Sequence, residues 1–166
     1  MITVGQKLPE ANLKEFIDTE TEGCKLGPND FKVADLVKGK KIVIFGLPGA
    51  FTPTCSAKHV PGYLEKFGEI KQKGVDEIWC VSVNDAFVMG AWGRELKTHG
   101  KVRMMGDGGA QFTKALGLDM EIPGMGTRSK RYSMLVQDGV VKSIDVEAPG
   151  KFEVSDAASM LKHLAT

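Results

Sequence analysis

The most regular apolar stretch in the chain is KIVIFGL, Lys41–Leu47, a β-branched and aromatic run of the length of a buried strand. Helical character follows over Pro53–Lys73, interrupted at Pro61-Gly62. EIWCVSV, Glu77–Val83, predicts a second strand, and Asp85–Thr98 a helix with Phe87, Gly90-Ala91 and Leu96 in its inner half. Val102–Met105 reads as a strand and Ala110–Leu116 as a short helix. Lys130–Gln137 and Val140–Glu147 flank Asp138-Gly139, a strong hairpin signal. Ser155–Leu164 closes as a helix with Ser155 in the N-cap position. Residues 1–40 are irregular, with turn signals at Gly23, Gly27-Pro28 and Gly39, apart from a short helix at Val33–Val37.

The resulting order, β-α-β-α-β-α-β-β-α, predicts an α/β fold. Alternating strands and helices make a mainly parallel sheet with right-handed crossovers, and the last hairpin adds antiparallel pairing. This is the order of a thioredoxin-like fold, a central mixed sheet flanked by helices. The 166 residues are expected to form one domain, and no repeat or linker divides them. In such sheets chemistry gathers at the carboxyl ends of strands, where the next helix begins.

Composition changes this picture little. Twenty-two basic and twenty-one acidic residues leave a net charge of +1, which argues against nucleic acid or an anionic membrane as partner. No leader or bilayer-length apolar run is visible, so the expectation is a cytoplasmic protein. The three cysteines, Cys24, Cys55 and Cys80, are too widely spaced for a zinc knuckle or a disulfide framework.

Cys55 stands out, in PGAFTPTCS at a strand-to-helix junction. Pro53 suits the first helical position, making Thr52 the N-cap and Cys55 the third helical residue. The free N–H groups and dipole of a helix start favour a negative sulfur. An ordinary thiol is only about 3% ionised at pH 7, and making thiolate dominant takes roughly 3–4 kcal/mol. A helix terminus supplies about 0.3–2 kcal/mol, so a nearby cation is needed, and Arg suits best because it stays charged and serves two acceptors. Ionisation alone gains about thirtyfold in thiolate, so a fast reaction also needs donors aimed at the charge developing on the substrate. Without its neighbours, Cys55 would read as small apolar packing.

FGLPGAFTPTCSAKHVPGY resembles the active-site signature of the peroxiredoxins, proline-x-x-x-threonine-x-x-cysteine, here Pro48, Thr52 and Cys55. The resemblance extends through VSVNDAFVMGAWG, GTRSKRYSMLVQDG and the helical tail, and is greatest to the Prx5, or type II, subfamily. It implies a peroxidase acting on hydrogen peroxide and alkyl hydroperoxides, with no metal, haem or nucleotide cofactor. Cys55 would become sulfenic acid; Thr52 would hydrogen-bond sulfur and peroxide, and Pro48 would shield the site. Arg128 is matched to the family's arginine, leaving Lys130 and Arg131 as solvated strand residues. Cys80 matches the resolving cysteine of plant relatives, its alternative being inert strand packing. Cys24 lies in a polar stretch and reads as incidental. The implied partners are glutaredoxin with glutathione, or thioredoxin, and a second copy in a homodimer.

Other readings rest on less. Cys55 and His59, one turn apart, could be two metal ligands or a hydrolase pair, but no further ligand or orienting group stands nearby in sequence. A dithiol oxidoreductase lacks its Cys-x-x-Cys. A peroxide sensor or redox-controlled holdase would use the same cysteine without turnover. Pro61 should kink the helix that Cys55 opens. Trp92 and Phe87 read as core or subunit contact.

Overall fold

The computed structural model describes residues 1–21 and 23–165. Its main sheet contains β1 (Asn12–Ile17), β2 (Gly27–Lys32), β3 (Lys41–Leu47), β4 (Glu77–Ser82), β5 (Arg103–Gly106), β8 (Tyr132–Gln137) and β9 (Val140–Val146). Their spatial order is β2-β1-β5-β4-β3-β8-β9. The centre, β3-β4-β5, is parallel, while β1 and β8 join it antiparallel, giving the expected mixed sheet. β6 (Asp119–Ile122) and β7 (Gly126–Ser129) form a separate hairpin.

Alternation along the central strands divides the core into two layers. Val43, Phe45, Leu47, Ile78, Cys80 and Leu135 face one side, together with Cys55. There they meet Tyr63 of α2 (Val60–Glu65), Ile70 of α3 (Phe67–Gln72), Met89 and Trp92 of α4 (Ala86–Leu96), and Met160 and Leu164 of α6 (Ala157–Leu164). Ile42, Ile44, Trp79, Val81, Met134 and Val136 face the other side, against α1 (Val33–Val37) and α5 (Gln111–Leu116). Because both faces are covered, the central strands read as continuous apolar runs.

Several expectations need correction. The first forty residues hold the β1–β2 hairpin as well as the predicted α1. Its strands, NLKEFI and GPNDFK, have one side towards water and so lack an apolar run. The β6–β7 hairpin lacks an apolar run for the same reason. The last strand pair begins at Tyr132, so Lys130 and Arg131 lie in the link before β8 rather than in a strand. Phe87 is 61% exposed; Ala86, Met89, Trp92 and Gly93 form the inner face of α4. The N-cap of α6 is Asp156, which accepts from Ser159 N, and Ser155 is buried behind it.

Asp138 and Gly139 both have positive φ, 49° and 80°, as the tight hairpin requires. The helix after β3 departs furthest from regularity. It opens with a π-helical turn over Cys55–His59, Val60 N–H donating to Cys55 O, and continues as α2 and α3 with a break at Lys66. Pro61 has no N–H to return to Ala57 and would crowd its carbonyl, so the chain widens one turn earlier instead of breaking at Pro61-Gly62.

Candidate active site

The site is built where β3 ends. The loop Pro48–Thr52 turns through Phe51, whose φ of 63° is unusual for an aromatic residue, and then enters the helix. Helical bonding starts where Ser56 N donates to Thr52 O at 2.9 Å, as expected with Pro53 at the first position. The loop is held from behind. Ala50 N donates to Asn84 Oδ1 (3.0 Å), and Arg128 Nη1 donates to Pro48 O (3.3 Å) and Val83 O (3.4 Å).

Cys55 lies buried at this helix start, and the group that meets its sulfur is Arg131, with Nη2 donating at 3.2 Å. The cation that the chemistry demands is therefore present, three residues from the one expected. Arg128 holds the backbone of the Pro48 turn and of Val83, and its Nε donates to Met125 O at 3.2 Å. Arg131 instead sits in the link before β8, where Glu147 N donates to its carbonyl (2.9 Å). Sequence carried a signal for this: Arg131 shares the alternation parity of Leu135, which faces the Cys55 layer, whereas Met134 and Val136 face away. Thr52 also differs from expectation, its hydroxyl donating to Gly49 O at 2.7 Å rather than to sulfur.

Both ring nitrogens of His59, the residue one turn from Cys55, are taken up by protein groups other than the Cys55 sulfur. Its Nδ1 faces Arg131 Nη1 (2.9 Å) and its Nε2 faces Ser155 O (3.1 Å). Burial first, and the Arg131 charge second, push it down to about 3, so the ring is neutral at ordinary pH. Phe152 packs on the His59 ring, and the Arg131 guanidinium lies 5.7 Å from the centre of the Phe152 ring.

A cavity of about 750 Å³ opens over these groups, with Pro48, Thr54 and Arg131 in its wall and Lys58, Lys130 and Lys151 around it. A larger one, about 1020 Å³, lies away from Cys55 between β1 and α4 and includes Cys24, which stands apart from the site. Cys80, central in β4, is fully buried in the same layer as Cys55. Burial, and then the neighbouring Cys55 sulfur, push its thiol well up. All three cysteines are free.

One buried cysteine at a helix start, held by an arginine on a thioredoxin-like sheet, defines a thiol-based redox protein that works without a vicinal dithiol. Residues 3–161 match the Redoxin family, and the chain belongs to the peroxiredoxins of the Prx5, or type II, kind. It is 46% identical to the chloroplastic Peroxiredoxin-2E of Arabidopsis thaliana, over 98% of this chain and 69% of that one. Among solved structures it is similar to reduced Prx3 in complex with H2O2 from Vibrio vulnificus, 48% identical, with a TM-score of 0.91 and 99% of each chain covered. It is also similar to a Burkholderia cenocepacia protein provisionally named a thioredoxin reductase, at 66% identity and TM-score 0.97, over 98% of this chain and 97% of that one. The absence of a Cys-x-x-Cys gives that name no support here. The chain is a thiol-dependent peroxidase.

Proposed function

We propose that Cys55 attacks the terminal oxygen of hydrogen peroxide or an alkyl hydroperoxide. The S–O bond forms as the O–O bond breaks; sulfur becomes sulfenic acid, and the departing oxygen takes a proton and leaves as water or alcohol. Arg131 stabilises the negative sulfur before attack and the charge that moves onto oxygen during it. Thr52, its proton already given to Gly49 O, has only lone pairs to offer and accepts the hydrogen bond of the peroxide O–H. Pro48 shields the sulfenic acid and Arg128 steadies the Pro48 turn. The observation that carries this reading is the 3.2 Å contact from Arg131 Nη2 to a cysteine sulfur buried at a helix start. Cys55→Ser is expected to abolish peroxide consumption in a reductant-coupled assay, which also separates an enzyme from a sensor or holdase. Parental turnover in that variant would sink the assignment.

We further infer that Cys80 resolves the sulfenic acid, its sulfur bonding to Cys55 while water departs. Their shared core layer supports this, although the first helical turn must unwind for the two to meet. Glutaredoxin with glutathione, or thioredoxin, then reduces the disulfide. Mass spectrometry of the peroxide-treated protein decides: a Cys55–Cys80 disulfide is expected, whereas lasting sulfenic acid or a glutathione adduct on Cys55 points to the one-cysteine route. Phe51 and Phe87, 51% and 61% exposed, support a homodimer, to be checked by light scattering. The free thiols suit a reducing, cytoplasmic setting, to be checked by fractionation.

A further inference from the structure

Behind Arg131 lies a chain of hydrogen bonds that the peroxidase chemistry does not itself require. Glu147 turns its carboxylate onto the segment before α6, accepting from the backbone N–H of Glu153 (2.9 Å), Val154 (2.8 Å) and Ser155 (2.8 Å) and from the Ser155 hydroxyl (2.7 Å). Burial opposes ionisation of Glu147, but these bonds outweigh it and hold the carboxyl below its usual range. The segment so fixed presents one carbonyl, that of Ser155, to two side chains: Tyr63 O–H donates to it at 2.9 Å, and His59 Nε2 lies 3.1 Å away.

A carbonyl can only accept and a guanidinium can only donate, which leaves the His59 ring one arrangement. Nε2 carries the proton and gives it to Ser155 O; Nδ1 is bare and receives Arg131 Nη1 at 2.9 Å. The other terminal nitrogen, Nη2, is then turned onto Cys55 Sγ.

We propose that His59 is a positioning residue for the peroxidase reaction: a neutral imidazole, held in one tautomer by the Ser155 carbonyl, that aims the Arg131 guanidinium at the Cys55 sulfur. This rests on Cys55 being the attacking group. It makes the segment 147–155, distant in sequence, part of the active-site frame. His59 touches neither peroxide nor sulfur; it acts through Arg131.

Two substitutions separate the ring's two contacts. In His59→Asn the amide oxygen can take the place of Nδ1 and still accept from Arg131. In His59→Gln the amide reaches the place of Nε2 and serves Ser155 but leaves Arg131 without its acceptor. We expect His59→Gln to lower kcat/KM for peroxide by about 10–100-fold, the usual range for losing a supporting partner of this kind. We expect its Cys55 alkylation profile to move to higher pH, with His59→Asn closer to the parent on both measures. Equal behaviour of the two folded variants, or parental behaviour of His59→Gln, overturns the proposal. Nitrogen-15 NMR of the parent imidazole tests it without any variant: a protonated Nε2 and bare Nδ1 are expected, and the reverse tautomer overturns it. A parent that consumes no peroxide would refute the peroxidase reading alone, because alkylation and the imidazole spectrum judge His59 regardless.

Discussion

Arg128 and Arg131 stand three residues apart and carry the same charge, yet they meet different parts of the site. Arg131 donates to the Cys55 sulfur, while Arg128 donates to the carbonyls of Pro48 and Val83. Removing a donor aimed at developing charge typically costs about 100- to 1,000-fold in rate. Arg131→Met is therefore expected to lower kcat/KM for hydrogen peroxide by about 100-fold or more. Arg128→Met, which loosens the Pro48 turn, should cost clearly less in the same assay; equal losses would show that both arginines act at the reacting atoms. Cys55, Thr52 and Pro48 were legible as a group because they sit within eight residues on one turn. Arg128 was matched through the family resemblance, whereas the arginine that reaches the sulfur is set by how the link before β8 packs over Cys55.

At the scale of elements, β3 and β8 lie in register with Gly46 opposite Tyr132. A Cβ on Gly46 would stand 2.1 Å from the Tyr132 ring, so only glycine admits this packing beside the loop that carries the site. Gly46→Ala should destabilise by about 1–3 kcal/mol or more, the usual cost of overpacking, as read from denaturant unfolding. An unchanged midpoint would mean that Tyr132 has somewhere else to go. The parallel centre was legible because strands covered on both faces read as unbroken apolar runs. β1, β2, β6 and β7 have exposed sides and short pairings, so no pattern announced them. The π-helical turn was half legible: Pro61 signalled trouble in the helix, but whether the chain breaks or widens depends on the packing of Cys55 and His59 beneath it.

Across the whole molecule, buried and paired charges tie stability to pH. His59 is lowered from 6.5 to about 3, by burial and then by Arg131, so the native state favours its neutral form. That contribution is complete above pH 6.5 and is lost as pH falls towards 3. Glu77 is lowered from 4.5 to about 2. Its partial burial works against this, but hydrogen bonds from Lys40, Trp79 and Arg103 and the Arg103 charge prevail. Its share is present above pH 4.5 and is lost towards 2. The urea midpoint should therefore decline in two stages on acidification. His59→Asn should flatten the upper stage and Glu77→Gln the lower, and unaltered profiles would remove these groups as the cause.

The sequence by itself determined what local chemistry can determine. It set the alternation that makes a two-faced central sheet, the Asp138-Gly139 turn, and a cysteine placed at a helix start by Pro53. Spacing along a few residues was sufficient, because each of these depends on backbone geometry within one or two turns. Only the tertiary structure decided which cation meets the sulfur, which nitrogen of His59 is bare, and that Cys80 shares a layer with Cys55. These are meetings between segments from 25 to nearly 100 residues apart. Their geometry comes from packing two layers on one sheet, and no local pattern carries it.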